Sequence, residues 1–560
     1  MRIPFIQSGR GQLLMVLVAC FFYFFLHLGV QEVGLMESRN FVAAREMAAG
    51  GSWLLPTMNG ELRLAKPPLP TWAVAGMMRL INYPQHDQLF WLRLPAAIMS
   101  TLLVLFFWGL LRELTRACPG EAEESGRTAW LGALVLASSL LMITVGRDAQ
   151  WDIFSHSFMM GSLWLLARAS RTADRGVLWC AAGLLLGLSI LSKGPVALYG
   201  VWLPFLICFY QPRLWGAAGR LRQEWRGLLF LVLVALVVGA AWPWYVWQHV
   251  APTALTVART EVSSWQGRHV QPFWYYFNFP VFTGVWALVA LAALAVPYAR
   301  HRAARYVPYA LGFVWLLVSF VLLSAVPEKK ERYMLPLIFP LVMLLTGLLR
   351  AWETAAQEQR LTRNDNRLLW AWAIIVTVVG VGLAGAMAVI GLPGFGFGTP
   401  RFWAVLVLGC LLSYSIFKGM GTQQSPRPLR LVLASFVLMA AGMAILMPAY
   451  PLWENRKADA GLRRMADIRH DARWKPYPWR SLSEIQIKQV WAASKSIPLL
   501  NGQEQSLPQT PFLLFSSAPV SEKEIGLKTD MFDVQVVDSF FLGKDRRFGQ
   551  WYVELIKHAD

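Results

Sequence analysis

The chain has 560 residues, of which 56% are hydrophobic and only 15% charged, with a mean hydropathy of +0.43. That balance excludes an ordinary soluble globular protein and points to a membrane chain. The formal net charge of +19 sits largely in arginine clusters that alternate with apolar runs. Membrane topology accounts for such a pattern, and a nucleic-acid partner is not needed to explain it.

Apolar runs near the length that crosses a bilayer core, about 20 residues, are read at 13–28, 94–111, 130–145, 154–167, 178–191, 196–210, 228–246, 277–298, 306–323, 333–349, 369–390, 402–417 and 431–447. The expected fold is a polytopic α-helical membrane protein with about thirteen spans, counted by apolar periodicity and length. The first span follows only Arg2 and Arg10 and has no small-residue cleavage site, so it reads as a retained helix. With a cytoplasmic N-terminus, the loops holding Arg112 and Arg116, Arg168 and Arg171, Arg300 and Arg302, Arg350 and Arg360, and Lys418 and Arg430 all fall inside. The odd count then sends the loop 31–72 and the tail 449–560 to the outside. None of Cys20, Cys118, Cys180, Cys208 and Cys410 can staple that tail by a disulfide.

The first outer loop carries Glu37, Arg39, Arg45, Glu46, Glu61, Arg63 and Lys66-Pro67-Pro68. Phe41, Ala44 and Met47 recur at helical spacing, which predicts an interfacial helix over 37–48. The proline pair blocks any preceding helix and sets the entry of 69–80. A passive linker does not need this mixture of charge, aromatic residues and proline, so the loop reads as half of an active site.

The later outer loops add to it in turn. Asp148 and Asp152 lie four residues apart, Lys193 precedes Gly194-Pro195, and a long segment with Glu261, Arg268 and His269 leads into Trp274-Tyr275. Last comes Glu328-Lys329-Lys330-Glu331-Arg332-Tyr333. Each has a structural alternative: Lys193 snorkelling to headgroups, Lys330 and Arg332 ending a helix, the two aspartates as solvated turn residues, the aromatics as an interfacial belt. Their clustering on one face favours a polar site instead, because charge at membrane depth costs several kcal/mol without a cavity or partner.

The chemistry this set suits is transfer from an anionic lipid. A polyprenyl phosphate leaving group gains charge as the sugar bond breaks, and Lys66, Arg39, Lys193, Lys330 and Arg332 would stabilise it. Glu37 is the leading general base, with Asp152 as a second catalytic carboxylate, and Asp148, His269, Trp274, Tyr275 and Tyr333 complete a substrate cleft. His269 alone does not make a metal site. Carboxylates from separate loops could hold a divalent metal, but no spacing specifies one, and no cofactor is required.

Beyond Pro448 the composition turns polar. Helical stretches at 455–470 and 483–493 and strand-like runs at 512–515, 534–541 and 551–556 predict a small α/β domain outside the membrane. The chain is thus divided into a transmembrane part, 1–448, which includes the first loop, and a C-terminal domain, 449–560.

Met36-Glu37-Ser38-Arg39, Arg45-Glu46-Met47, Gly51-Ser52-Trp53, Pro56, Asn59-Gly60 and Lys66-Pro67-Pro68 run in an order that resembles the first external loop of the bacterial aminoarabinose transferases and protein O-mannosyltransferases. Arg93-Leu94-Pro95, Asp152, Ser192-Lys193-Gly194, Pro272 to Tyr276 and Lys330 to Tyr333 look like later landmarks of the same family. The resemblance implies an inverting GT-C glycosyltransferase of the bacterial inner membrane, acting as a monomer on an undecaprenyl-phosphate sugar. The leading acceptor is a lipid A phosphate receiving 4-amino-4-deoxy-L-arabinose. Two departures stand out: Met36 where the family has an aspartate before the glutamate, and Ala65 where it has an acidic residue before Lys-Pro. Transfer of another sugar to a protein or glycan hydroxyl stays open, as do a lipid-linked saccharide transporter and a non-catalytic polyprenyl-lipid binder.

Overall fold

Helix dominates the computed structural model of the chain, which describes residues 8–84, 89–122, 124–172, 175–215, 221–252, 269–392, 394–419, 428–449, 460–500, 511–520, 532–542 and 549–558. Glu261 and Arg268 lie outside the described residues, as does the start of the predicted tail helix before Ala460. The chain divides into two compact units: Met1–Val30, Leu64–Pro70 and Gln88–Pro448 form one, and Gln31–Arg63, Thr71–Asp87 and Ala449–Asp560 form the other.

In the first unit the apolar runs are helical because a backbone in lipid must satisfy its polar groups internally. Among the described residues, eight helices are long and apolar enough to cross a membrane. Glu331–Gln357 is the central one, 94% of its apolar window being enclosed, against 22% for Leu221–His249, Arg363–Ile390 and Pro400–Lys418. Shorter apolar helices run over Gly9–Phe25, Leu198–Phe209 and Tyr309–Ala325.

The run 130–145 is not one straight span. It is a pair, Arg127–Ala137 and Leu140–Arg147, bent by 62°. The cause lies in Ser138 and Ser139, whose hydroxyls donate back to the carbonyls of Leu134 and Val135, a bonding pattern that bends helices. Trp286 Nε1 donates to the Ser138 hydroxyl at 2.9 Å and fixes the corner.

Two buried arginines finish the first helix. Its last carbonyls lack intrahelical donors. Arg147 donates to Tyr23 O and His27 O at 3.1 and 2.8 Å, and Arg93 to Leu28 O at 3.0 Å. A cation at a helix C-terminus also meets the negative end of its dipole.

The second unit joins the first outer loop to the tail. Helix Leu35–Ala48 buries Phe41, Ala44 and Met47 on the face read from the sequence, and Leu69–Leu80 follows the proline pair. Between them, β1 (Thr57–Met58) and β2 (Glu61–Leu62) form a hairpin closed by Asn59-Gly60. Both turn residues have positive φ, 60° and 84°, which two-residue hairpin turns require and Asn-Gly supplies.

The tail adds β3 (Trp479–Ser481), β4 (Phe512–Ser516), β5 (Phe532–Phe541) and β6 (Gln550–His558) in the order β3-β4-β6-β5. β3 pairs parallel to β4, and the other pairs are antiparallel. Helices Ala460–His470 and Ile487–Ala493 accompany the sheet, and Met465, Trp479, Phe515, Trp551 and Val553 share its core.

Candidate active site

Asp152 lies in the first turn of helix Trp151–Ala169, where the helix dipole favours an anion, and Lys193 is the last residue of helix Gly176–Lys193, where it favours a cation. The two helices run as a close pair. Ser155 and Ser189 bond across it, hydroxyl to hydroxyl at 3.0 Å and each to the other's carbonyl, the small-residue contact that lets membrane helices approach. The start of one helix thereby meets the end of the other, and Asp152 and Lys193, 41 residues apart, form a buried ion pair.

Arg332 comes to the same carboxylate from a third element, its Nε 3.6 Å from Asp152 Oδ2. It sits in the 3-10 turn Glu331–Met334 that opens the central helix. The Tyr333 ring beside it collects three cations: Lys193 Nζ at 4.5 Å from its centroid, Arg332 Cζ at 5.3 Å and Lys330 Nζ at 5.8 Å. Such placement favours the cations through the ring quadrupole. Lys330 also pairs with Glu328.

Lys329 has another task. Its ammonium donates to Gln271 O and Val326 O at 3.0 and 2.8 Å, while Val270 bridges Glu328 and the Lys329 N–H donates to His269 O at 3.2 Å. Those bonds pin the 269–272 segment to the 326–330 turn. Burial holds the Lys329 ammonium below the ordinary lysine range.

Of the remaining cleft candidates, Asp148 accepts from Gln150 Nε2 at 2.8 Å and lies within electrostatic reach of Arg332. His269 is exposed with a φ of 54°, Trp274 is exposed and Tyr275 half-buried. Lys66 is half-buried in the stretch Leu64–Pro70 of the same unit. Sequence reasoning missed His156, which is buried, and Tyr276, named only as a landmark, is buried too. His156 Nδ1 bonds Asp152 O at 2.7 Å from one turn along the same helix, and the i, i+4 spacing is the signal that could have found it. Among the described residues, no three His, Cys, Asp or Glu side chains gather at metal-binding distance.

Glu37 and Arg39 belong to the other unit. Glu37 is 1% exposed, and its Oε2 accepts from Gly34 N at 3.2 Å, capping its own helix. Arg39 Nη1 lies 3.9 Å from the sulfur of Met36. Several other loop charges are structural. Glu46 accepts from Thr57 Oγ1, Asn59 N, Gly60 N and Ser496 Oγ at 2.6 to 3.3 Å, and Arg45 Nη1 donates to Val490 O at 3.3 Å.

Residues 65–247 match the family described as dolichyl-phosphate-mannose-protein mannosyltransferase. That stretch holds Lys66, Asp148, Asp152 and Lys193. The chain is 25% identical over 489 residues to the undecaprenyl phosphate-alpha-4-amino-4-deoxy-L-arabinose arabinosyl transferase of Pectobacterium carotovorum, covering 76% of this chain and 80% of that relative. In three dimensions it matches ArnT from Cupriavidus metallidurans in the apo state with a TM-score of 0.64, and the same protein bound to undecaprenyl phosphate with 0.63. Both matches cover 98% of each chain at 16% identity, so they speak to fold. The resemblance to the bacterial aminoarabinose transferases and protein O-mannosyltransferases is borne out. The landmarks that carried it therefore sit on the fold it implied, with Asp152, Lys193, Lys330, Arg332 and Tyr333 gathered at one place.

Proposed function

We propose that the chain transfers a sugar from an undecaprenyl-phosphate carrier to a periplasmic acceptor, with 4-amino-4-deoxy-L-arabinose and a lipid A phosphate as the leading pair. The observation that carries this reading is the buried Asp152 carboxylate bracketed by Lys193 and Arg332, with Lys330 beside them around Tyr333. Asp152 keeps two cations in place at a depth where isolated charge is expensive. An arriving phosphate finds donors already oriented, and charge-assisted bonds to a phosphate strengthen as its negative charge grows.

In the reaction the acceptor oxygen attacks the anomeric carbon, the bond from that carbon to the phosphate oxygen breaks, and undecaprenyl phosphate leaves with the bonding pair. Attack from the face opposite the phosphate inverts the anomeric centre. Lys193, Arg332 and Lys330 stabilise the departing phosphate, with Lys66 and Arg39 as further donors. Glu37 takes the acceptor proton when the acceptor is a hydroxyl or a protonated phosphate. An acceptor that is already an anion makes less demand on a base, which fits Met36 at the family's aspartate position.

Among the described residues twelve of the thirteen sequence runs fall on apolar helices, one of them the bent pair, and the thirteenth, 154–167, falls on the more polar helix Trp151–Ala169; this supports a thirteen-span topology with a cytoplasmic N-terminus. On that topology the first loop and the tail are periplasmic, and the inner membrane houses the chain. The purified chain given undecaprenyl-phosphate aminoarabinose and lipid A should produce lipid A heavier by one aminoarabinose and an equal amount of undecaprenyl phosphate. Modification of a peptide or glycan hydroxyl in place of lipid A would redirect the acceptor assignment. Transport of the donor without cleavage would replace the enzyme by a transporter.

A further inference from the structure

Helix Trp151–Ala169 carries Asp152 at its start and Arg168 in its last turn. At 1.5 Å per residue those positions lie roughly 24 Å apart, most of a bilayer core. At the Arg168 end, the close of this helix and that of Leu89–Thr115 border a cavity of about 630 Å³. Arg112, Arg116, Arg168 and Arg171 line it, against the acids Glu113 and Glu121. Glu121 is already engaged, accepting from the backbone N–H groups of Gly126 and Thr128 at 2.5 and 3.1 Å.

Other arginines at this end are spoken for. Arg127 and Arg350 both pair with Glu124 and Glu353. By contrast, among the described residues none of the four cavity arginines is in an ion pair. The wall also holds two buried donors without a hydrogen-bond partner, Trp108 Nε1 and Arg171 Nη2. Leaving such groups unmet costs about 1–3 kcal/mol each. The Arg171 guanidinium is fixed in place over the Trp215 ring, 4.9 Å from its centroid.

Ordinary topology-setting arginines fan out into water. Here Arg112, Arg116 and Arg168 are exposed at the mouth and Arg171 is half-buried, and the four border one space with two unmet donors in its wall and Leu105 and Trp164 as an apolar side. We propose that this cavity binds a phosphate-bearing anion, its oxygens taken by the arginine forks and the Trp108 indole N–H, at the opposite helix ends from Asp152. Arginine's planar donors match phosphate oxygens two at a time, and the volume suits a headgroup rather than a lone ion.

The test uses the purified full chain in phosphatidylcholine nanodiscs, with or without phosphatidylglycerol, and separately with inorganic pyrophosphate. Melting temperature and native mass spectrometry report binding. At least one probe should stabilise the wild type and remain bound, and Arg171→Gln and Arg112→Gln should each weaken that binding at least five-fold. A response to phosphatidylglycerol alone identifies a lipid headgroup, and one to pyrophosphate alone a soluble phosphate compound. Arg112 is exposed at the rim, so its variant decides the matter should Arg171→Gln fail to fold. Arg360→Gln, an exposed change outside the cavity, should bind as the wild type does. Absence of any response in the wild type, undiminished binding by Arg112→Gln, or equal loss in Arg360→Gln overturns the proposal.

Discussion

Asp152 carries one negative charge between two cations, and removing it leaves both facing each other at a buried position. Breaking a buried pair from one side costs about 3–5 kcal/mol. Asp152→Asn should therefore lower the melting temperature and nearly abolish turnover. Adding Lys193→Met to that variant should recover much of the melting temperature but no turnover, since the phosphate site is then poorer by a cation. Recovery of turnover in the double variant would contradict the assigned role. Glu37→Gln is a cleaner change, because Gln can still accept from Gly34 N. Turnover of a hydroxyl acceptor should fall roughly 100-fold to 10,000-fold, with donor binding and melting unchanged. Single-turnover kinetics on the two variants separates these outcomes. At this scale the sequence was informative about residue type and less so about contact. Lys193, Lys330 and Arg332 were legible as charges at span ends. That Lys193 pairs with Asp152 depends on a helix pair closing 41 residues of separation, which no local pattern encodes. His156 was passed over as a lone histidine in an apolar run, although it stands one helical turn from Asp152. Lys329, in the same run of charges as Lys330 and Arg332, holds backbone carbonyls.

The Asn59-Gly60 hairpin is the element on which the first loop and the tail depend together. Asn59 Nδ2 donates to Ile497 O at 2.9 Å, and Ile497 N donates back to Asn59 Oδ1 at 2.6 Å, as one strand would bond another. Asn59→Ala should destabilise this unit by about 1–3 kcal/mol, since both partners on Ile497 lose their bonds. Faster hydrogen exchange across 479–499 would register it, and unchanged exchange there would dismiss the coupling. Within the sheet, Glu554 is buried on β6 and accepts from Val520 N at 3.1 Å. Burial raises its carboxyl above the ordinary glutamate range. The sign follows: the neutral acid favours the folded tail, so stability is full below the ordinary value near 4.5 and declines as pH rises through the raised one. Glu554→Gln should flatten that decline in melting curves taken from pH 4 to 8. The hairpin was readable from Asn-Gly but overlooked, because the loop's charges drew the reading toward chemistry. Glu46 and Arg45 show that part of that charge holds the loop to the tail. The bend at Ser138-Ser139 was missed for a different reason: hydropathy runs straight through it, and only the serine back-bonding breaks the axis.

At the scale of the molecule, helix content and the α/β character of the tail were legible because apolar runs and alternating strands are periodic signals. Sidedness is legible only through the arginine loops. A cysteine at Gln357, in a background with the five native cysteines replaced, should resist a membrane-impermeant thiol reagent in spheroplasts. One at Arg473 in the tail should react. The reverse pattern would invert the topology and remove the periplasmic reaction with it. The most direct measurement is release of undecaprenyl phosphate from a purified undecaprenyl-phosphate sugar, compared between wild type and Asp152→Asn with lipid A present. The account predicts stoichiometric release by the wild type and a loss of at least 100-fold in the variant. No release by a wild type that binds the donor, or equal release by the two proteins, would contradict it.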